Sequence, residues 1–89
     1  MTNIDISKLK TQFSALANNK RLKIIEICSE KEKTITELSK ILKLNYSITV
    51  EYTSMLEKAK LIRKIRNADR TVSVKSLIKL SNDGEIRRV

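Results

Sequence analysis

The chain has 89 residues, with 19 Lys plus Arg against 10 Asp plus Glu and a formal net charge of +9. That length suits one domain spanning residues 1–89, since two cores would leave each half too small to be stable unaided. Cys28 is the only cysteine and there is no histidine, which excludes an internal disulfide and the usual nitrogen and sulfur zinc sites, so no metal is expected.

The remaining composition narrows the field further. Hydrophobic residues make up 40% of the chain and are nearly all aliphatic, enough for one modest core, while 3% aromatic content leaves little stacking surface. No run of about 18 apolar residues marks a membrane span, and the first residues lack the order of a secretory signal, so a cytoplasmic location is expected. Without histidine, a Gly-rich phosphate loop or clustered carboxylates, neither enzyme chemistry nor a cofactor is expected.

In chain order, Ile6, Leu9, Phe13, Leu16 and Ala17 follow helical spacing and predict a first helix over roughly 5–17. Phe13 and Leu16 are expected in the core. Asn18 or Asn19 caps a second helix in which Leu22, Ile24, Ile25, Ile27 and Cys28 leave only a narrow polar stripe, so it should be central. Cys28 is expected there as a small core hydrophobe. "EKEKTIT" then predicts a turn and a stub of strand near Thr34 and Ile35, with Thr36 capping a third helix. Asn45 caps a fourth helix running to about Lys60.

From Leu61 the period falls to two. Leu61, Arg63 and Ile65 alternate with their neighbours, and Val72, Val74, Ser76, Ile78 and Leu80 share one parity, with "NADR" at 67–70 as the turn between. A long hairpin reaching Leu80 is expected, and Ser81 caps a final short helix containing Glu85, Ile86 and Val89. The predicted fold class is mainly α with a small β-hairpin: helix, helix, strand, helix, helix, strand, strand, helix, the order of a winged helix-turn-helix.

Charge is concentrated in one part of this scheme. Between Lys58 and Lys79 stand eight basic residues against the single Asp69. Such a stretch points to a polyanion, here double-stranded DNA. A B-DNA major groove admits one α-helix, which must expose short polar side chains near its N-terminus. Placed at helical intervals, Ile48, Tyr52, Met55, Leu56 and Ala59 fall inward. Asn45, Tyr46, Ser47, Val50, Thr53 and Ser54 are then the candidate readers. Lys58, Lys60, Arg63, Lys64, Arg66 and Arg70 are the candidates for backbone and wing contacts, with Arg66 and Arg70 placed to enter or straddle a minor groove. Lys20, Arg21 and Lys23 are secondary candidates.

"LANNKRLKIIEIC", "TITELSKILKLNYSITVEYTSMLEKAKLI" and "IKLSNDGEI" resemble the ArsR-like branch of winged-helix regulators, and the L-S-x-x-G element also occurs in MarR- and PadR-like members. The resemblance spans about residues 13–86. It implies a transcription regulator that dimerises through its terminal helices, for which Ile4, Ile6, Leu9, Ile86 and Val89 are the candidate residues. It also implies metal sensing in some members, through paired cysteines in the third helix or histidines near the C-terminus, and "TELSKILKL" carries neither. Members often place Arg, Gln, His or Lys on the outward face of the reading helix, whereas this chain offers Glu51 and Glu57 there and no Arg or Asn for bidentate reading. Two other functions fit the same elements: a protein-interaction winged helix within a larger transcription or replication assembly, and a low-specificity architectural DNA binder.

Overall fold

The computed structural model of the protein describes residues 6–80 and 86–88. Its elements are α1 (Ile6–Leu16), α2 (Asn19–Glu30), β1 (Lys33–Thr34), α3 (Ile35–Leu42), α4 (Tyr46–Lys58), β2 (Ile62–Arg66), β3 (Val72–Ser76), β4 (Ile78–Leu80) and β5 (Ile86–Arg88). α2 is the central helix, as its near-continuous apolar sequence predicts. Ile24, Ile25 and Cys28 are buried in it, and it packs on α1, α3, α4, β3 and β4. Leu38, Leu56 and Val74 close the core from α3, α4 and β3.

Local chemistry sets each helix start. The Asn18 side chain accepts from the amides of Lys20 and Arg21 at 2.8 and 3.2 Å. α3 begins with a capping box at Thr34, not at Thr36 as expected: the Glu37 amide donates to Thr34 Oγ1 at 3.1 Å, and Thr34 N donates to Glu37 Oε1 at 2.9 Å. The T-x-x-E spacing exists only from Thr34, so two orphan donors are satisfied there and only one from Thr36. A left-handed Lys43 (φ 55°) then reverses the chain, and Asn45 Oδ1 accepts from Ile48 N at 2.8 Å to open α4. α3, this tight turn and α4 form the helix-turn-helix.

β1, β3 and β2 make an antiparallel sheet in that order. β2 and β3 are the wing, in register from Ile62↔Ser76 to Arg66↔Val72. Its tip is held by side chains. Asn67 Nδ2 donates to Thr71 Oγ1 and Ser73 Oγ at 2.9 and 2.8 Å, and Asp69 Oδ1 accepts from both the amide and hydroxyl of Thr71. Arg70 completes the turn in the left-handed region (φ 70°).

Beyond the wing the chain departs from expectation twice. The hairpin ladder ends at Ser76 and does not reach Leu80, because the Ser76 hydroxyl bonds Ile78 N and O and bends the chain out of the sheet. The terminal helix expected around Glu85, Ile86 and Val89 is replaced by a strand at Ile86. β4 pairs with β5 in an antiparallel ladder, Ile78↔Arg88 to Leu80↔Ile86. The intervening sequence Asn82-Asp83-Gly84 has hairpin composition, which favours pairing of the flanking segments over a helix start. Ser81, Glu85 and Val89 themselves lie outside the described residues.

Candidate nucleic-acid interface

α4 meets the core through Thr49, Thr53, Leu56 and, just past its end, Ala59. These recur at i, i+4, i+7 and i+10, so the buried stripe is rotated by roughly 60° from the one that hydropathy suggests. The two threonines can be interior because their hydroxyls are satisfied within the helix. Thr49 Oγ1 donates to Asn45 O at 2.9 Å, and Thr53 Oγ1 donates to Thr49 O and Val50 O at 2.9 and 3.0 Å. Thr53, expected to read bases, is therefore fully buried at 0% exposure, and Val50 is half-buried against the core. Met55, expected inward, is 38% exposed instead.

The face left outward carries Tyr46, Ser47, Glu51, Ser54, Met55 and Lys58, all exposed. Asn45 stands at its head with Oδ1 committed to the cap. Glu51 is not among the readers expected from sequence. The signal that finds it is the i, i+4, i+7 spacing of Ser47, Glu51 and Ser54.

This face continues into the wing. Lys64 Nζ donates to Ser54 Oγ at 2.8 Å, joining β2 to the middle of α4. Arg63, Arg66 and Arg70 are exposed beside it, as are Lys58 and Lys60 at the end of α4. The one ion pair among the described residues is Lys23–Glu26 at 3.5 Å, so none of these wing cations is neutralised by a described carboxylate. Asp69 at the tip is turned into its own loop. Its hydrogen bonds from Thr71, side chain first and then backbone, hold its carboxyl below the usual aspartate range. An Arg-flanked tip with its single acid internally engaged presents mostly positive potential outward.

The secondary candidates at the start of α2 are used inside the molecule. Lys20 Nζ donates to Leu42 O at 3.1 Å, capping α3. Arg21 caps α1: Nε donates to Ala15 O at 2.6 Å and Nη2 to Ser14 O at 3.1 Å, while its guanidinium lies 5.3 Å from the centroid of the Tyr52 ring. Lys23 pairs with Glu26. Cys28 is buried, and burial pushes its thiol up to about 12.

α1 carries a separate apolar surface. Ile6 and Phe13 are 76% and 58% exposed, with Leu9 between them, so Phe13 is not the core residue expected while Leu16 is. Phe13 lies on the flank next to Ile6, and α1 turns Ala15 and Leu16 inward in its place. Ile86 lies in β5; Ile4 and Val89 lie outside the described residues. No helix among the described residues is long and apolar enough to cross a membrane.

A helix-turn-helix whose second helix shares a surface with a basic β-hairpin defines a winged-helix DNA-binding module. The chain belongs to the arsR family of bacterial regulatory proteins, whose family model matches residues 18–64, and it is the winged helix-turn-helix DNA-binding domain of such a transcriptional regulator. Among solved structures, HlyU from Vibrio cholerae N16961 is 25% identical with a TM-score of 0.74, over 84% of this chain and 80% of that one. NolR from Sinorhizobium fredii is 24% identical with a TM-score of 0.72, over 93% and 85% of the two chains, and shares the fold. So does the homodimeric winged helix-turn-helix DNA-binding domain Mb0332 of Mycobacterium bovis, at 17% identity and TM-score 0.76, over 80% of this chain and 65% of that one. No curated protein matches the chain.

Proposed function

We propose that this domain acts as a homodimer that places the exposed face of α4 in the major groove of duplex DNA and lays its wing along the flanking backbone. In this reading it is a cytoplasmic binding protein with neither catalytic role nor cofactor. Tyr46, Ser47 and Ser54, with the outer edge of Val50, approach base edges, and Asn45 offers its remaining amide hydrogens to a phosphate. Lys58, Lys60, Arg63, Lys64, Arg66 and Arg70 neutralise the backbone, with Arg66 and Arg70 reaching furthest at the tip. Ile6, Leu9 and Phe13 supply the partner contact, since so much apolar surface on one helix is otherwise left in water.

The observation that carries the reading is the Lys64 to Ser54 hydrogen bond of 2.8 Å. It makes the helix face and the basic hairpin one continuous surface, so a duplex seated on α4 meets the wing without rearrangement. The test is duplex affinity by fluorescence anisotropy as a function of salt. Each neutralised phosphate contributes about −0.9 to the slope of log K against log salt, so six contacts give a slope of about −5. A slope near zero would replace this reading with a protein-binding surface.

A further inference from the structure

One group on the reading face is unsuited to a surface that meets phosphates. Ser47, Glu51 and Ser54 form a stripe at i, i+4 and i+7, all exposed, and Glu51 is its centre. Among the described residues Glu51 makes no ion pair or hydrogen bond. Lys64, the wing cation joined to this stripe, gives its ammonium to Ser54 instead. A carboxylate at this position loses its water when the surface is covered, and a charge buried without a donor is strongly unfavourable. The covering partner must therefore bring the donor.

From this, resting on the proposed placement of α4 in a major groove, we propose that Glu51 selects a cytosine. The edges displayed in that groove offer two kinds of amino donor, cytosine N4 and adenine N6; guanine presents two acceptors and thymine an acceptor and a methyl group. Adenine N6 sits beside the N7 acceptor, whose lone pair repels the second carboxylate oxygen. Cytosine N4 sits beside a carbon-bound hydrogen, which does not. A carboxylate at the centre of the stripe thus accepts from cytosine, tolerates adenine less well, and is repelled by guanine or thymine at the same position. The same charge lowers affinity for phosphates generally, so it raises discrimination at the expense of non-specific binding. This supplies selectivity to a face that has no arginine.

Selection from a randomised duplex library, run with the wild type and with Glu51→Ala and Glu51→Gln, tests the proposal. Both substitutions are at an exposed position, and circular dichroism checks that the fold is kept. The wild type should enrich C at one position of the bound site, by on the order of tenfold over other bases. Glu51→Ala should lose the preference at that position alone while binding random duplex more tightly. Glu51→Gln should move it toward A, which a carboxamide reads through N6 and N7. An unchanged consensus in Glu51→Ala, a uniform gain in affinity with no positional change, or a wild type that enriches no base would each overturn the cytosine assignment. In those cases a steep salt slope still leaves duplex binding intact, whereas a flat wild-type slope removes both readings together.

Discussion

Arg21 offers the sharpest check on how this small core is held. Its guanidinium donates to Ala15 O and Ser14 O at 2.6 and 3.1 Å and lies 5.3 Å from the Tyr52 ring, so one side chain of α2 fastens the end of α1 to the middle of α4. The carbonyls belong to the last turn of α1, where Ser14 O is shared with the Ala17 amide at 3.2 Å and the dipole favours a cation. Water replaces part of what is lost on truncation, so each charged bond is worth about 0.5 to 1 kcal/mol here, below the full charge-assisted value. The half-exposed cation–π contact adds about 0.5 kcal/mol. Arg21→Ala should therefore destabilise by about 2 kcal/mol, which for a domain of this size lowers Tm by roughly 8–16 °C. Arg21→Lys keeps the charge but has no planar fork, and should lose about half as much. Thermal unfolding by circular dichroism measures both, at one fixed protein concentration so that any contribution from dimerisation is compared at equal mass action. If Arg21→Ala lowers Tm by less than about 3 °C, or Arg21→Lys matches the wild type, the clamp is decorative and the reasoning fails.

Neighbouring residues on α4 should behave oppositely. Thr53→Val, at a fully buried site, should leave duplex affinity unchanged with a stability change within about 1 kcal/mol, whereas Ser54→Val should weaken duplex binding and barely change Tm; the reverse pattern in anisotropy and melting would restore Thr53 as a reader. Cys28 should resist an aromatic disulfide reagent at about pH 8 and label only as the protein unfolds in urea. Its folded pKa is raised from 9.0 to about 12, so the stability it contributes is full below pH 9.0 and is lost as pH rises toward 12. Rapid native labelling would contradict this. Glu37 has the opposite sign: hydrogen bonds from Thr34, backbone first, lower its pKa from 4.5, so the stability gap between wild type and Glu37→Ala should be full above pH 4.5 and close as the pH falls below it. A gap that persists at a pH of about 2 would show that the capping box does not depend on the charge.

The fold was legible where a local signal had one strong reading. The near-continuous apolar run of α2, the asparagine cap at 45 and the switch to a two-residue period after Leu61 each name one structure, and each is present; of the two asparagines before α2, Asn18 is the cap. Legibility failed where two signals competed over a few residues. Thr34 and Thr36 can both cap, and only the position of Glu37 decides between them. At the other end, Ser81 reads as a helix cap and Asn82-Asp83-Gly84 as a hairpin turn; the outcome depends on whether β4 finds a partner strand, which no local pattern encodes.

The exposed face of α4 was misplaced in phase, for a reason specific to threonine. Hydropathy ranks Thr53 below Met55, and so turns the hydroxyl outward and the thioether inward. Within a helix, however, a threonine hydroxyl can spend its donor on the carbonyl of the preceding turn, and Thr49 and Thr53 both do so. Each then presents only a methyl group to the core, so both can be buried at no cost in unpaired polar atoms. With Leu56 and Ala59 completing the buried stripe, Ser47, Glu51 and Ser54 are left on the far side together. Burial of the two threonines and emergence of Glu51 at the centre of the outward face are thus one event. A sequence reading that turns Thr53 outward therefore puts Glu51 at the edge of the exposed face and not at its centre.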